Sequence, residues 1–312
     1  MNNIVTLIKS EKPDLKEATL KQYVRCLEKI YEKIGNGEEG LSYLKNKDKV
    51  QEFMDTGNRS GGPLAEKTRG NYYTSIITIL QSENPRDKEV ISYYQKLSKN
   101  VIINYQKKNE EGIISDKQSK DFVSVEKVDQ LIKILKTKNT IGYLLFLFLK
   151  HHHLRNEIAE LKKISLKEFK KLKSEDKVGN NYLVVGSKKI YMSRNDYKTY
   201  KTYGENVSDI EDKTLHKELR KHLNDVDDGE DVFDFPGEKT EDKRNQLSHF
   251  LRHLSNKYIG TADHPVHLST TILAKIYMSK KFIEPSLEQQ KVSSERGHSI
   301  ATENLVYLKK IN

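Results

Sequence analysis

The sequence predicts a mainly α-helical protein with a small antiparallel β-sheet, arranged as two modules. Apolar residues recur at helical spacing through most of the chain. One stretch, "IGYLLFLFLK", is apolar all round, as a helix buried on every side must be. Two short β-prone runs, "NYLVVGS" and "KKIYMSR", are separated by turn-like residues and read as a hairpin. A chain of 312 residues has room for two domains of ordinary size.

In the first module, "LKEATLKQYVRCLEKIYEKIG" sets Leu20, Tyr23, Leu27, Ile30, Tyr31 and Ile34 on one helical face. Thr19 is the expected N-cap and Gly35 the expected stop. "NRSGGPLAEK" carries strong breaker signals and reads as a loop. "AEKTRGNYYTSIITILQSE" gives a further helix despite Gly70, and "DKEVISYYQKLSKNVIINYQKK" a long one. Its polar tail runs into "NEEGIISDKQSKDF", which mixes charge, Gly and Ser without periodicity. The expected division is a helical domain at 1–107, a linker at 108–122 and a second domain at 123–312.

The second module opens with "SVEKVDQLIKILKTK". Ser124 serves as N-cap, but Lys127 stands where a full capping box needs Glu or Gln. The all-apolar helix follows and runs into "HHHLRNEIAELKKI", where Arg155 is expected to begin an amphipathic helix. After the two β-prone runs, helices return at "TLHKELRKHLND", "KRNQLSHFLRHLSNKYI" and "STTILAKIYMSKKF". No internal repeat is present.

Composition excludes several classes. Hydrophobic content of 35% against 32% charged residues leaves enough apolar sequence for a core, so wholesale disorder is excluded. No apolar run approaches the roughly 20 residues that span a bilayer. "MNNIVTLIKSEKPDLKE" lacks a signal peptide's apolar core and cleavage site, which predicts an intracellular protein with no membrane partner. The one cysteine, Cys26, sits between helical apolar positions and reads as packing; it excludes an internal disulfide and a Cys-based zinc site. Three adjacent histidines at 151–153 invite a metal. Neighbouring helical residues do not share a face, however, and no acidic or cysteine partner has ligand spacing, so neither metal nor other cofactor is expected. The net charge of +10 fits either a polyanion partner or a lysine-heavy solvated surface.

Four side chains invite chemistry, and each alone has an ordinary reading. Tyr307 is one of 17 tyrosines, and a phenol attacks only an electrophile held in place beside stabilising cations. His298 precedes it by nine positions, in a Gly-His pair, and could donate to a phosphoryl oxygen. Arg155 offers a planar fork suited to a phosphate, with Glu157 and Glu160 as its orienters or as plain surface charge. Lys198, just past the hairpin, is either a surface lysine or a group able to protonate a leaving oxygen.

Taken in order, these residues resemble the tyrosine recombinase (integrase) family. "RGHSIATENLVYLKK" is similar to that family's Gly-His-Ser, Thr, Tyr signature, with matching internal spacing. "LRNEIAELKKI" resembles its first arginine motif, in the Arg-Asn-acidic form of recombinases from large DNA viruses, virophages and related mobile elements. "YKTYKTYGE" is similar to the lysine segment of that subgroup, and the first amphipathic helix resembles the start of the helical core-binding domain. The chain departs from the pattern on "STTILAKIYMSKKF". Ala274, between Leu273 and Lys275, occupies the second arginine position, and Thr271 stands for the preceding basic residue. Either activity was lost naturally or an arginine was replaced; persistence of Arg155, Lys198, His298 and Tyr307 favours replacement.

The resemblance implies a helical core-binding domain and an α+β catalytic domain that close around double-stranded DNA. It implies cleavage and rejoining through a 3′-phosphotyrosyl intermediate on Tyr307, without metal or ATP, and self-assembly from dimer to tetramer on DNA. Arg155 and His298 would stabilise the phosphorane and Lys198 would protonate the leaving oxygen, with this chain impaired at Ala274. Candidate DNA contacts are Lys67, Arg69 and Asn71 by the Gly-Gly-Pro loop, and Arg244 and Asn245, taken to open their helix where its positive end would favour a phosphate. A type IB topoisomerase and a non-catalytic DNA-binding protein descended from a recombinase are the alternative readings.

Overall fold

The computed structural model describes residues 2–299 and 302, apart from 36, 39, 59, 111–115, 238 and 282–286. The chain forms two compact units, 1–111 and 112–312. The first is helical: α1 (Asn2–Glu11), α2 (Glu17–Ile34), α3 (Ser42–Lys45), α4 (Lys47–Thr56), α5 (Glu66–Gln81) and α6 (Lys88–Glu110). Leu20, Leu27 and Ile30 of α2 enter its core with Leu44, Met54, Ile76, Ile79 and Tyr94. Cys26 packs against this cluster. Tyr94 is wholly buried, yet its hydroxyl donates to the Leu44 carbonyl at 2.7 Å, so the phenol ties α6 to α3 without an unpaired polar atom. Gly35 ends α2 as expected, its N–H donating to the Tyr31 carbonyl at 2.8 Å. Thr19 is not the cap. The helix starts at Glu17, whose carboxylate complements the positive end, and Thr19 lies inside the first turn.

The segment 108–122 begins as the last residues of α6 and contains a short helix, α7 (Asp116–Ser119). The second unit continues with α8 (Val125–Lys138), capped by Ser124 Oγ on the Lys127 N–H, and α9 (Thr140–His151). Every residue from Gly142 to Leu149 is buried, which explains the absence of a polar face. Around it lie α8, α13 (Lys213–Leu223) and α15 (Thr270–Lys281); α14 (Thr240–Ile259) packs on α8. Between α9 and α13 run a 3₁₀ turn (Asn156–Glu160), β1 (Leu161–Ser165), α10 (Leu166–Phe169), α11 (Ser174–Lys177), β2 (Asn181–Val185), β3 (Ile190–Arg194), α12 (Tyr200–Tyr203) and β4 (Asn206–Asp209). The last described helix is α16 (Leu287–Glu295).

The sheet order is β1-β2-β3-β4. The expected hairpin is β2–β3, paired from Asn181↔Arg194 to Val185↔Ile190. The sheet is nonetheless mixed, not antiparallel as the sequence suggests, because β1 runs parallel to β2. β1 comes from "LKKIS", which reads as helix in isolation. It is paired on both sides: by β2, and by the 229–232 segment, where the Val232 N–H donates to the Leu161 carbonyl at 2.6 Å and the Lys163 N–H to that of Glu230 at 2.8 Å. Two rows of backbone partners outweigh the weak helix preference of Leu and Lys. No helix among the described residues is long and apolar enough to cross a membrane.

Phe148 is fully buried in α9, with its ring edge-on to Phe233 at a centroid distance of 6.4 Å. Phe148→Ala is expected to destabilise the second unit by about 3–5 kcal/mol. Urea denaturation followed by circular dichroism checks this, as a lowered midpoint with little change in slope.

Candidate functional site

The site is assembled by two segments far apart in sequence. The first leaves the end of α9. The His152 N–H still donates to the Phe148 carbonyl at 2.8 Å, and the chain is extended at His152. Arg155 follows, half-buried and extended, as the residue before the 3₁₀ turn. Asn156 fixes this exit. Its amide donates to Ser248 Oγ at 2.9 Å on α14, and its oxygen accepts from Thr270 Oγ1 at 2.8 Å in the first turn of α15. The expected amphipathic helix is therefore a turn followed by β1. The two acids after Arg155 serve other arginines: Glu157 faces Arg194 at 3.4 Å, and Glu160 accepts from Arg244 Nη2 at 2.9 Å.

The second segment ends α16. The Gly297 N–H donates to Ser294 O at 2.9 Å and the His298 N–H to Ser293 O at 2.8 Å, the paired bonds of a Schellman cap. Gly297 has φ +67, a left-handed conformation that glycine adopts without strain. It is needed for space as well. A Cβ there would fall 2.5 Å from Tyr197 Cε2 and closer still to Thr199 Oγ1. Those two residues flank Lys198, and Thr199 Oγ1 donates to the Gly297 carbonyl. The turn after β3, with its exposed Lys198, thus seats directly on the Gly-His pair. Asn206 adds a tie from β4, its amide donating to the Ser294 carbonyl at 3.1 Å.

These two segments meet at Arg155 and His298. Arg155 Nη2 lies 3.0 Å from His298 Nδ1 and in closer contact with Nε2. Burial first, then the positive charges of Arg155, Arg296, Lys198 and Arg194, push the His298 imidazole down to about 3. The ring is therefore neutral at physiological pH. Arg194 and Arg296 are each 1% exposed. Arg194 faces Glu157, donates to Asn206 Oδ1 and lies over the Tyr197 ring, 5.0 Å from its centroid. Arg296 Nη1 donates to the His153 carbonyl. Three guanidiniums and an ammonium around one neutral ring form an environment that an anion relieves.

Ala274 is fully buried on α15. Helical spacing puts it on one face with Thr270, which holds Asn156, and Tyr277, whose ring stacks on His153 at 6.2 Å. Thr271 is half-buried, and Lys275 is buried with its ammonium donating to Gln118 at 3.0 Å. Tyr307 lies outside the described residues.

The candidate DNA contacts are placed unevenly. Lys67 is exposed at the start of α5, and Asn71 is half-buried. Arg69 is held by Asp55 at 2.8 Å and by the Leu64 carbonyl at 2.9 Å. Arg244 does not open α14. That helix starts at Thr240, where Glu241 and Asp242 suit the positive end, and Arg244 sits a turn later. There it pairs with Glu160 and, at 3.3 Å, with Asp196, while Asn245 is exposed. His151 faces Asp212 at 3.7 Å and His152 faces Glu295 at 3.9 Å. Among the described residues no group of three or more His, Cys, Asp or Glu is set to hold a metal.

Sequence reasoning misses Arg194 and Arg296. Arg194 ends a strand pattern and Arg296 precedes a helix-stopping glycine, positions where arginine is ordinarily solvated. The one signal in the sequence is adjacency, since Arg296 abuts the Gly-His pair.

Gly297→Ala is expected to lower stability by about 1–3 kcal/mol and to separate Thr199 from the cap, seen as a lowered melting temperature. Acid titration supplies a second check. Burial holds His152, His153 and His298 at about 3, so below the ordinary histidine range the unfolded chain takes up protons that the folded one refuses. Stability should therefore fall steadily as pH drops from about 6.5 towards 3. The slope of melting temperature against pH measures it, and His153→Gln should flatten it.

No family model and no curated protein matches the chain. Among solved structures it is similar to one described as "Crystal structure of XerA recombinase", at 10% sequence identity and a TM-score of 0.41, over 100% of this chain and 94% of that one.

Proposed function

We propose that the chain is a DNA strand-transferase of the tyrosine recombinase kind, cutting and rejoining DNA through a 3′-phosphotyrosyl intermediate. The observation that carries this reading is the contact between Arg155 and His298, with the Lys198 turn packed on the same Gly-His pair. A scissile phosphate brought to this cluster would receive the planar fork of Arg155 and a hydrogen bond from the His298 ring. Tyr307 Oη would attack phosphorus, its proton leaving to solvent. The bond to the 5′ oxygen would break as Lys198 supplies a proton, releasing a 5′-hydroxyl. Bond energy stays in the protein–DNA link, so the reverse attack by a hydroxyl rejoins a strand without cofactor.

Lys67, Arg69, Asn71, Arg244 and Asn245 are the proposed DNA contacts; Arg69 is tied to Asp55 and the Leu64 carbonyl, and Arg244 to Glu160. Assembly as a dimer to tetramer on paired sites belongs to the same proposal. Ala274 removes one charge donor, which costs about 10²–10³ in rate. It also supports a second reading, a DNA-binding protein that no longer cuts. Relaxation of supercoils without site preference would instead point to a topoisomerase.

With a nicked single-turnover substrate, this chain should bind duplex yet accumulate little covalent adduct. Ala274→Arg should raise the rate of adduct formation about 10²–10³-fold, and adding Tyr307→Phe should abolish it. Rapid, complete trapping by the unaltered chain would overturn the impairment. No adduct from the Ala274→Arg chain would overturn strand transfer and leave the binding-only reading.

A further inference from the structure

Among the described residues, Arg194 and Arg296 are the largest side chains that are almost wholly buried. Taking a guanidinium out of water is tolerated only where its hydrogen bonds are met, so the contacts of Arg296 constrain where its segment can sit. Its Nη1 donates to a neutral backbone carbonyl, that of His153. His153 stands two residues before Arg155, as Arg296 stands two residues before His298. The two contacts have the same sequence separation of 143, so the segments lie in matched register, 153 with 296 and 155 with 298.

We propose that Arg296 is the positioning residue of the site: its guanidinium docks the segment carrying His298 onto the carbonyl of His153, fixing the register in which His298 meets Arg155. The inference rests on the strand-transfer reading for its purpose, but its geometry is independent of that reading. The dock lies beside α15, because the ring of the docked His153 stacks on Tyr277, one helical turn from Ala274. Arg296 brings an interior positive charge to bear on the imidazole from the α16 side. Among the described residues, the charged groups acting on His298 include Arg155 from the α9 exit, Arg194 from the end of β3, Lys198 from the turn after it, and Arg296 from the cap of α16. Removing Arg296 withdraws one of these charges and releases the ring from its neighbour.

The test uses the full chain with Arg296→Met and Arg296→Lys, each also combined with Ala274→Arg. Two readouts are taken: the NMR titration of the His298 ring, and adduct formation on the nicked duplex. In the unaltered chain His298 should stay neutral down to acid pH, in line with its position at about 3. Arg296→Met should move its titration up towards the ordinary histidine range and slow adduct formation about 10²-fold in the Ala274→Arg background, with duplex affinity changed little. Arg296→Lys, which keeps a cation able to reach a carbonyl, should recover most of both. A folded Arg296→Met chain with unchanged His298 titration and unchanged adduct rate overturns the proposal. If Arg296→Met does not fold, Arg296→Gln carries the same test, and an unmoved His298 titration overturns it. Absence of adduct from the Ala274→Arg chain with Arg296 intact sinks the strand-transfer reading, while the titration still decides the role of Arg296.

Discussion

A guanidinium can rest against an imidazole only if the ring is neutral, and this molecule is organised so that it is. Arg155 and His298 come from segments 143 residues apart, and their meeting closes the second unit around a single spot. Burial and four surrounding cations leave the ring no inducement to take a proton. Both segments lack regular structure at the point of contact: one has just left α9, the other has just left α16. The contact depends on the hydrogen bonds that hold those exits.

Those supports are neutral hydrogen bonds and one glycine. Asn156 uses both ends of its amide, one towards α14 and one towards α15, so the Arg155 exit is fixed by two helices at once. On the other side, the Schellman cap sets the direction of His298, and the absence of a side chain at Gly297 lets the Thr199 hydroxyl reach its carbonyl. Two carboxylates close to Arg155 in sequence face other arginines. Glu157 neutralises the buried Arg194, and Glu160 neutralises Arg244. Arg194, one of the cations acting on His298, is thereby partly offset, while Arg155 and Lys198 act on the ring from the α9 exit and the turn after β3.

α2, α5 and α6 of the first unit, the buried α9, the Ser124 cap and the β2–β3 hairpin are legible in the sequence, because each is specified by local periodicity or cap chemistry; the shorter α1, α3 and α4 are not. β1 is not. Its partners at 229–232 lie far along the chain, and their pairing overrides a locally helical composition. The start of α14 is misread for a related reason: Glu241 and Asp242 pass for loop charge until the helix dipole they complement is known. Arg155, Lys198 and His298 can be named from motif order, but not the partners of the nearby carboxylates. Glu157 and Glu160 are close to Arg155 in sequence, yet the strand and helix that follow deliver Arg194 and Arg244 to them instead. Arg296 is betrayed only by its place beside the Gly-His pair, because local sequence does not distinguish a buried cation before a glycine from a solvated one.

The seating of Thr199 and Tyr197 on Gly297 has a mechanical consequence. The ammonium-bearing turn packs on Gly297, the residue directly before the imidazole, so both are seated at one point of the α16 cap. A displacement of the α16 terminus would therefore act on the Lys198 turn and the His298 ring together.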